Sequence, residues 1–204
     1  MIRSKADLRA YLDADRIALH RSRNLAGWLS DDIWRYERRL RKLEYHLNLG
    51  HRVLAMWVQF VLIRTGNRLG FSIPPNVFGP GLSLAHAGTV AVNQHARVGQ
   101  RCRVSVNVVI GAALRESSAA PSIGDDCFLG PGAVVLGAVV LGDNVVVGAN
   151  AVVTRSFPGG NVTLVGAPAH PIQAAPTNGS VQAGPDGANS AHHAEGSTAA
   201  EVTG

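Results

Sequence analysis

The chain has 204 residues, 46% of them hydrophobic, which allows one or two domains with a sizeable core. Its 23 glycines and 5% aromatics suit a thin solenoid with little room for rings. The formal charge of +5 is unevenly placed, with 14 Lys and Arg against 7 Asp and Glu in residues 1–70, and 5 against 7 in residues 71–204.

A basic N-terminal segment is compatible with nucleic acid or an anionic membrane surface, but acids and apolar residues alternate through it in helical fashion. A solvated helix face is the commoner explanation. The opening Met-Ile-Arg-Ser-Lys-Ala-Asp lacks the apolar core of a signal peptide. The longest apolar run, residues 53–63, contains Gln59 and is too short to span a bilayer. A cytoplasmic protein without an integral membrane segment is expected.

Residues 1–71 read as helical. Ser4-x-x-Asp7 resembles a capping box ahead of Leu8, Tyr11 and Leu12. Ser30 is expected to cap a stronger helix that carries Ile33, Tyr36, Leu40, Leu43 and Leu47 on one face and ends at Gly50. The segment from His51 to Arg64 is apolar around most of its circumference, as in a helix buried on several sides, here between subunits. Gly70 and Ile73-Pro74-Pro75 close the helical region.

From Val98 onward an aliphatic residue returns every sixth position: Val98, Val104, Ile110, then Ile123, Leu129, Val135, Leu141, Val147 and Val153. Small or branched residues follow four positions later, at Cys102, Val108, Cys127, Ala133, Val139, Val145 and Ala151. Neither a helix nor an alternating strand has this period. It is the hexapeptide repeat of a parallel β-helix, in which each flat side of a triangular coil uses one hexad. Glycines after many of the aliphatics are expected to serve the bend at the corners. The predicted β-helix runs over residues 72–173, with about five coils.

One excursion interrupts the beat. Thirteen positions separate Ile110 from Ile123, so about seven residues leave the solenoid as a loop near 113–122, the kind of insertion that tends to carry function. A slip of two positions also separates the register of Phe78, Leu84 and Val90 from that of Val92 onward. His86 sits at that slip, at a corner in one phase and inward in the other. Cys102 and Cys127 share an inward slot and read as packing. Residues 174–204, rich in Ala, Gly, Ser, Asn and Pro, are expected to form a disordered tail.

Residues 81–112 resemble the active-site coil of the serine O-acetyltransferases, and more closely related bacterial O-acetyltransferases of polysaccharide synthesis. The resemblance extends over residues 72–172 and ends at Val165-Gly166-Ala167-Pro168-Ala169. It implies a mainly β fold, a left-handed parallel β-helix with an N-terminal α-helical segment. It further implies a homotrimer, acetyl-CoA as co-substrate, no metal, and a catalytic histidine between subunits. His86 falls on that histidine, the general base that deprotonates an acceptor hydroxyl. Gly111, Ala112, Gly130, Ala149 and Gly166 fall on places that meet coenzyme A in the family, though each also reads as a coil corner. Asn107 is a substrate-side candidate for orienting His86, or a turn cap.

The departures bear on the acceptor. Where the serine enzymes carry an Asp before the histidine, this chain has Ala85, and a second family Asp is matched by Ser72. The family's loop-ending Arg-His-Pro is matched by Ala119-Ala120-Pro121. A small-molecule acceptor with a hydroxyl, on a sugar or polysaccharide precursor, is therefore favoured over L-serine. The alternatives are a serine O-acetyltransferase of cysteine biosynthesis and a non-catalytic trimeric assembly protein. A zinc hydratase would need three converging histidines, and only His86 and His95 lie within the coils, with His170 at the far end.

Overall fold

The computed structural model describes residues 1–21 and 31–172. The predicted Ser30 cap and the predicted tail lie outside the described residues. Helix α1 spans Lys5–Ala18. Ser4 caps it by accepting the N–H of Asp7 at 3.0 Å, while the Asp7 carboxylate accepts the N–H of Arg3 at 2.9 Å. The short Asp thus reaches one residue beyond the usual capping-box partner.

Helix α2, Asp32–Asn48, is capped by Asp31, which accepts the N–H of Trp34. Tyr36, Leu40 and Leu43 face the core as expected, with Ile33 packed at its margin, but Leu47 is 42% exposed. Glu37, Arg41 and Glu44 are buried on this helix instead. Helix α3 spans Arg52–Leu69 and ends at Gly70 in the left-handed region. It is not buried on several sides of the protomer. Ala55, Leu62, Thr65, Gly66 and Leu69 form one inward stripe, and most of the other apolar side chains point outward. A Cβ on Gly66 would lie 2.6 Å from the carbonyl oxygen of Phe71, so glycine is what lets α3 approach the first strand.

From Phe71 the chain winds as a left-handed, three-sided parallel β-helix. The first face stacks β1 (Phe71–Ser72), β3 (Val90–Val92), β6 (Val108–Gly111), β9 (Val134–Leu136) and β12 (Val152–Val153). The second stacks β4 (Arg97–Val98), β7 (Ser122–Ile123) and β10 (Val140–Leu141). The third stacks β2 (Ser83–Leu84), β5 (Arg103–Val104), β8 (Phe128–Leu129), β11 (Val145–Val147) and β13 (Val162–Val165), with β14 (His170–Ile172) folding back antiparallel on β13. Each coil visits the third, first and second faces in turn. The hexad aliphatics meet their equivalents in neighbouring coils, as in Leu84 with Val104, Val104 with Leu129, and Ile110 with Val135. These residues and the buried face of the helices form one continuous core.

The glycines after the aliphatics have a different cause from the expected bend. At the edge between the second and third faces, Gly79, Gly99, Gly124, Gly142 and Gly160 stack on one another. A Cβ on Gly79, Gly99 or Gly124 would stand 2.6–2.8 Å from the backbone of the glycine in the next coil. Contact between backbones, not left-handed torsion, selects glycine at those three positions. The left-handed residues at this edge other than glycine are Arg101, Asp126, Asn144 and Asn161 among the described residues. Cys102 and Cys127 are buried free thiols, and burial pushes Cys127 up to about 11 and Cys102 higher still, which leaves both unreactive.

Candidate functional site

The register slip seen in the sequence is a real insertion in the coil. Eight positions separate Leu84 from Val92, where six separate their partners Val104 and Ile110. The extra length sits in the bend 86–88, between β2 and β3, and His86 is exposed there. The inward alternative is therefore excluded in the protomer. Among the described residues, no hydrogen bond holds the His86 ring, which leaves it open to a bound molecule.

The edge between the third and first faces continues below His86. Gly88 packs on Val106, where a Cβ would approach Cγ1 to 2.9 Å. Gly132 donates its N–H to the carbonyl of Val106, and Asn150 donates to that of Pro131. This column places Asn107, Gly130, Ala149 and Gly166 on the His86 edge. Asn107 is exposed with φ +58, which accounts for it as a left-handed turn residue, and no hydrogen bond joins it to His86 among the described residues. Gly130 is buried, and a Cβ there would meet the Val147 carbonyl at 2.8 Å and the Ala149 amide at 3.0 Å. Ala149 and Gly166 are exposed.

Gly111 and Ala112 stand apart. They lie where the first face turns toward the second, and the predicted loop leaves from there. A short turn closes it, with Ala113 donating its N–H to Ala119 and bridging Glu116. Leu114 at its tip is fully exposed. The predicted residues are thus divided between two edges of the prism. His95 lies on the Gly111 side, in the turn after β3, away from His86. A cleft of about 360 Å³ opens on the second face, the side opposite His86, and Tyr11, Glu44, Arg97 and Asp125 contribute to it.

Sequence reasoning missed the clamp that fixes the strand leading to His86. Asp15 accepts the N–H groups of Gly81 and Leu82 at 2.7 and 2.9 Å. Arg41 donates to both Asp15 oxygens, to Glu44, and to the carbonyls of Phe78 and Gly79. Glu44 accepts the N–H of Asn76, and Glu37 accepts that of Leu84 at 3.0 Å. Burial, reinforced by Asp15, pushes the Glu37 carboxyl well above its ordinary value. Burial alone would depress Arg41, yet the Glu44 and Asp15 carboxylates outweigh it and raise the guanidinium. A signal was available: Glu37, Arg41 and Glu44 recur at four- and three-residue steps on the face shared with Leu40.

Residues 120–155 match the bacterial transferase hexapeptide (six repeats) family. No curated protein sequence matches the chain. Among solved structures, the serine acetyltransferase of Neisseria gonorrhoeae superposes with a TM-score of 0.68 at 26% identity, over 83% of this chain and 67% of that one. Soybean serine acetyltransferase complexed with serine gives 0.69 at 26%, over 82% and 70%. A serine acetyltransferase in complex with CoA gives 0.67 at 21%, over 82% and 71%, a likeness of fold. In repeat, coil and helical segment, the chain resembles the hexapeptide-repeat acyltransferases and has a serine-acetyltransferase-like fold.

Proposed function

We propose that this chain transfers an acetyl group from acetyl-CoA to the hydroxyl of a sugar or polysaccharide precursor, with His86 as general base. The observation that carries the reading is the two-residue insertion that lifts an unpartnered histidine onto an open edge of the coil. A hydroxyl is a weak nucleophile at neutral pH, and an adjacent imidazole removes its proton as the oxygen attacks the thioester carbonyl. The new C–O bond forms, the C–S bond breaks, and the proton passes to the departing thiolate. Gly111, Ala112, Gly130, Ala149 and Gly166 are the donor contacts of this proposal, through backbone and small side chains. Asn107 stands on the acceptor side. None of these roles calls for a metal.

The division of these residues between two edges supports a homotrimer. In one protomer Gly111 and Ala112 cannot share a groove with His86, whereas a second copy brings its own loop edge against the His86 edge. A stable monomer at micromolar concentration in sedimentation would remove this part of the reading.

Serine as acceptor is the second reading, favoured by the likeness to a soybean enzyme complexed with serine. Against it stand the neutral residues of this chain: exposed Ser72, half-buried Ala85, and Ala120 packed at the margin of the core. None of them offers a charge to a free amino acid. Thiol release from acetyl-CoA, measured with serine, homoserine, simple sugars and nucleotide sugars, separates the two. Turnover with serine alone overturns the sugar assignment. No acetyl-CoA binding moves the chain toward a purely structural trimer, whereas retained binding argues against that reading. A soluble, cytoplasmic setting belongs to the same proposal, since among the described residues no helix is long and apolar enough to cross a membrane.

A further inference from the structure

The outward side of α3 has no role in the chemistry proposed above. Val53 is 75% exposed, Met56 68%, Trp57 70% and Phe60 57%, with Leu54 and Ile63 beside them. At 100° per residue these side chains fall on the arc opposite the inward stripe of Ala55, Leu62, Thr65 and Leu69. The apolar patch covers the first three turns. Arg52 stands at its start, and Arg64 and Arg68 at its end, with the Arg64 guanidinium 5.3 Å above the Phe60 ring.

The electrostatics beside this patch are one-sided. Helix α3 contains no Asp or Glu. On α2, Glu37 and Glu44 are buried, so Asp32 is the only carboxylate that either helix exposes among the described residues. It already pairs with both Arg35 and Arg68. Arg35, Arg39 and Arg68 crowd together, and burial together with the neighbouring guanidiniums holds Arg39 below its usual value. A large apolar patch of this kind marks an interaction site. An arginine crowd without spare carboxylates says what its partner must offer, which is negative charge next to an apolar layer.

We propose that the outward face of α3 docks on an anionic lipid surface, lying in the interface with Trp57 and Phe60 inserted among the acyl chains and the arginines among phosphate headgroups. Aromatic and aliphatic residues on one arc, arginines at both ends and a length too short and polar to span are the features of an interfacial helix. A second copy of the chain fits less well. Three-fold or two-fold packing through this face would bring like-charged arginine clusters together, and among the described residues neither α2 nor α3 has a further exposed carboxylate to offset them. The inference is independent of acetyl transfer, since it rests on α3 and not on the His86 edge. It goes beyond that activity by placing the enzyme where a lipid-linked acceptor would be found.

The test uses the full chain, vesicles of phosphatidylcholine alone, and vesicles containing about 30% phosphatidylglycerol. Wild type should float with the anionic vesicles and remain largely free of the neutral ones. Trp57→Ser with Phe60→Ser, and separately Arg64→Gln with Arg68→Gln, should each weaken binding by roughly tenfold or more. Sedimentation equilibrium on the same proteins should give the wild-type mass for both variants. No flotation with anionic vesicles, or equal flotation with neutral ones, overturns the proposal. So does a smaller assembly for Trp57→Ser with Phe60→Ser, since that result gives the face to a second copy.

Discussion

Glu37 in α2 accepts the backbone N–H of Leu84 at 3.0 Å, two residues before His86. The helical segment is thus a clamp on the first coil, fastened to backbone groups from Asn76 to Leu84 by Asp15, Glu37, Arg41 and Glu44. These bonds occupy amides and carbonyls that a β-helix leaves free where its first strands have no coil above them. The same contacts hold the strand from which the His86 bend departs.

Glu37 gives that clamp a pH dependence. Burial raises its folded-state pKa, and its second oxygen has no hydrogen-bond partner among the described residues. In the unfolded chain the carboxyl ionises near pH 4.3. Its contribution to stability is therefore fully present below that pH and is lost as pH rises through the folded value. Glu37→Gln keeps the acceptor for Leu84 and removes the titration. Urea unfolding should show the wild type losing stability relative to the variant as pH rises above the unfolded value, with the variant at least as stable at neutral pH. A variant clearly less stable at pH 7 would mean that Glu37 is ionised and paired.

Arg41 should behave in the opposite way. It is fully buried and donates to two carboxylates and two carbonyls, so Arg41→Ala leaves the Asp15 and Glu44 carboxylates without their cation and the Phe78 and Gly79 carbonyls without that donor. Breaking such a buried pair costs about 3–5 kcal/mol. Denaturant midpoints at neutral pH check this, and a loss under about 1 kcal/mol would show water filling the site.

The hexad beat made the β-helix legible because one aliphatic per side must fill a prism that is the same in every coil. Even the insertion carrying His86 left a trace, as the slip between Val90 and Val92. The clamp was harder to read. Glu37, Arg41 and Glu44 look like solvent-facing charges until the coil they grip is in place, and that coil lies about 40 residues away in sequence. The division of α3 into an inward stripe and an outward face was hidden for a related reason. Apolar composition says that a helix wants cover, but not which side the protomer covers.

The donor groove is tested at Ala149, which is exposed on the His86 edge. Ala149→Trp should leave the fold intact and weaken acetyl-CoA binding by roughly tenfold or more, the scale of losing a few close contacts and their exclusion of water. Calorimetric titration with acetyl-CoA reads the affinity, and thermal melting reads the fold. Unchanged affinity in a folded variant would move the donor away from this edge.

His86 is the sharpest test of the chemistry. Because the ring is exposed and makes no hydrogen bond among the described residues, His86→Ala removes no core packing and should change stability by about 0.5 kcal/mol or less. As a core residue it would have cost ~2–5 kcal/mol. Acetyl-CoA affinity should persist, since the proposed donor contacts come from backbone and small residues on Gly111, Ala149 and Gly166. Turnover should fall by ~10²–10⁴, the usual contribution of a general base. A folded His86→Ala protein with wild-type turnover would remove His86 from the mechanism.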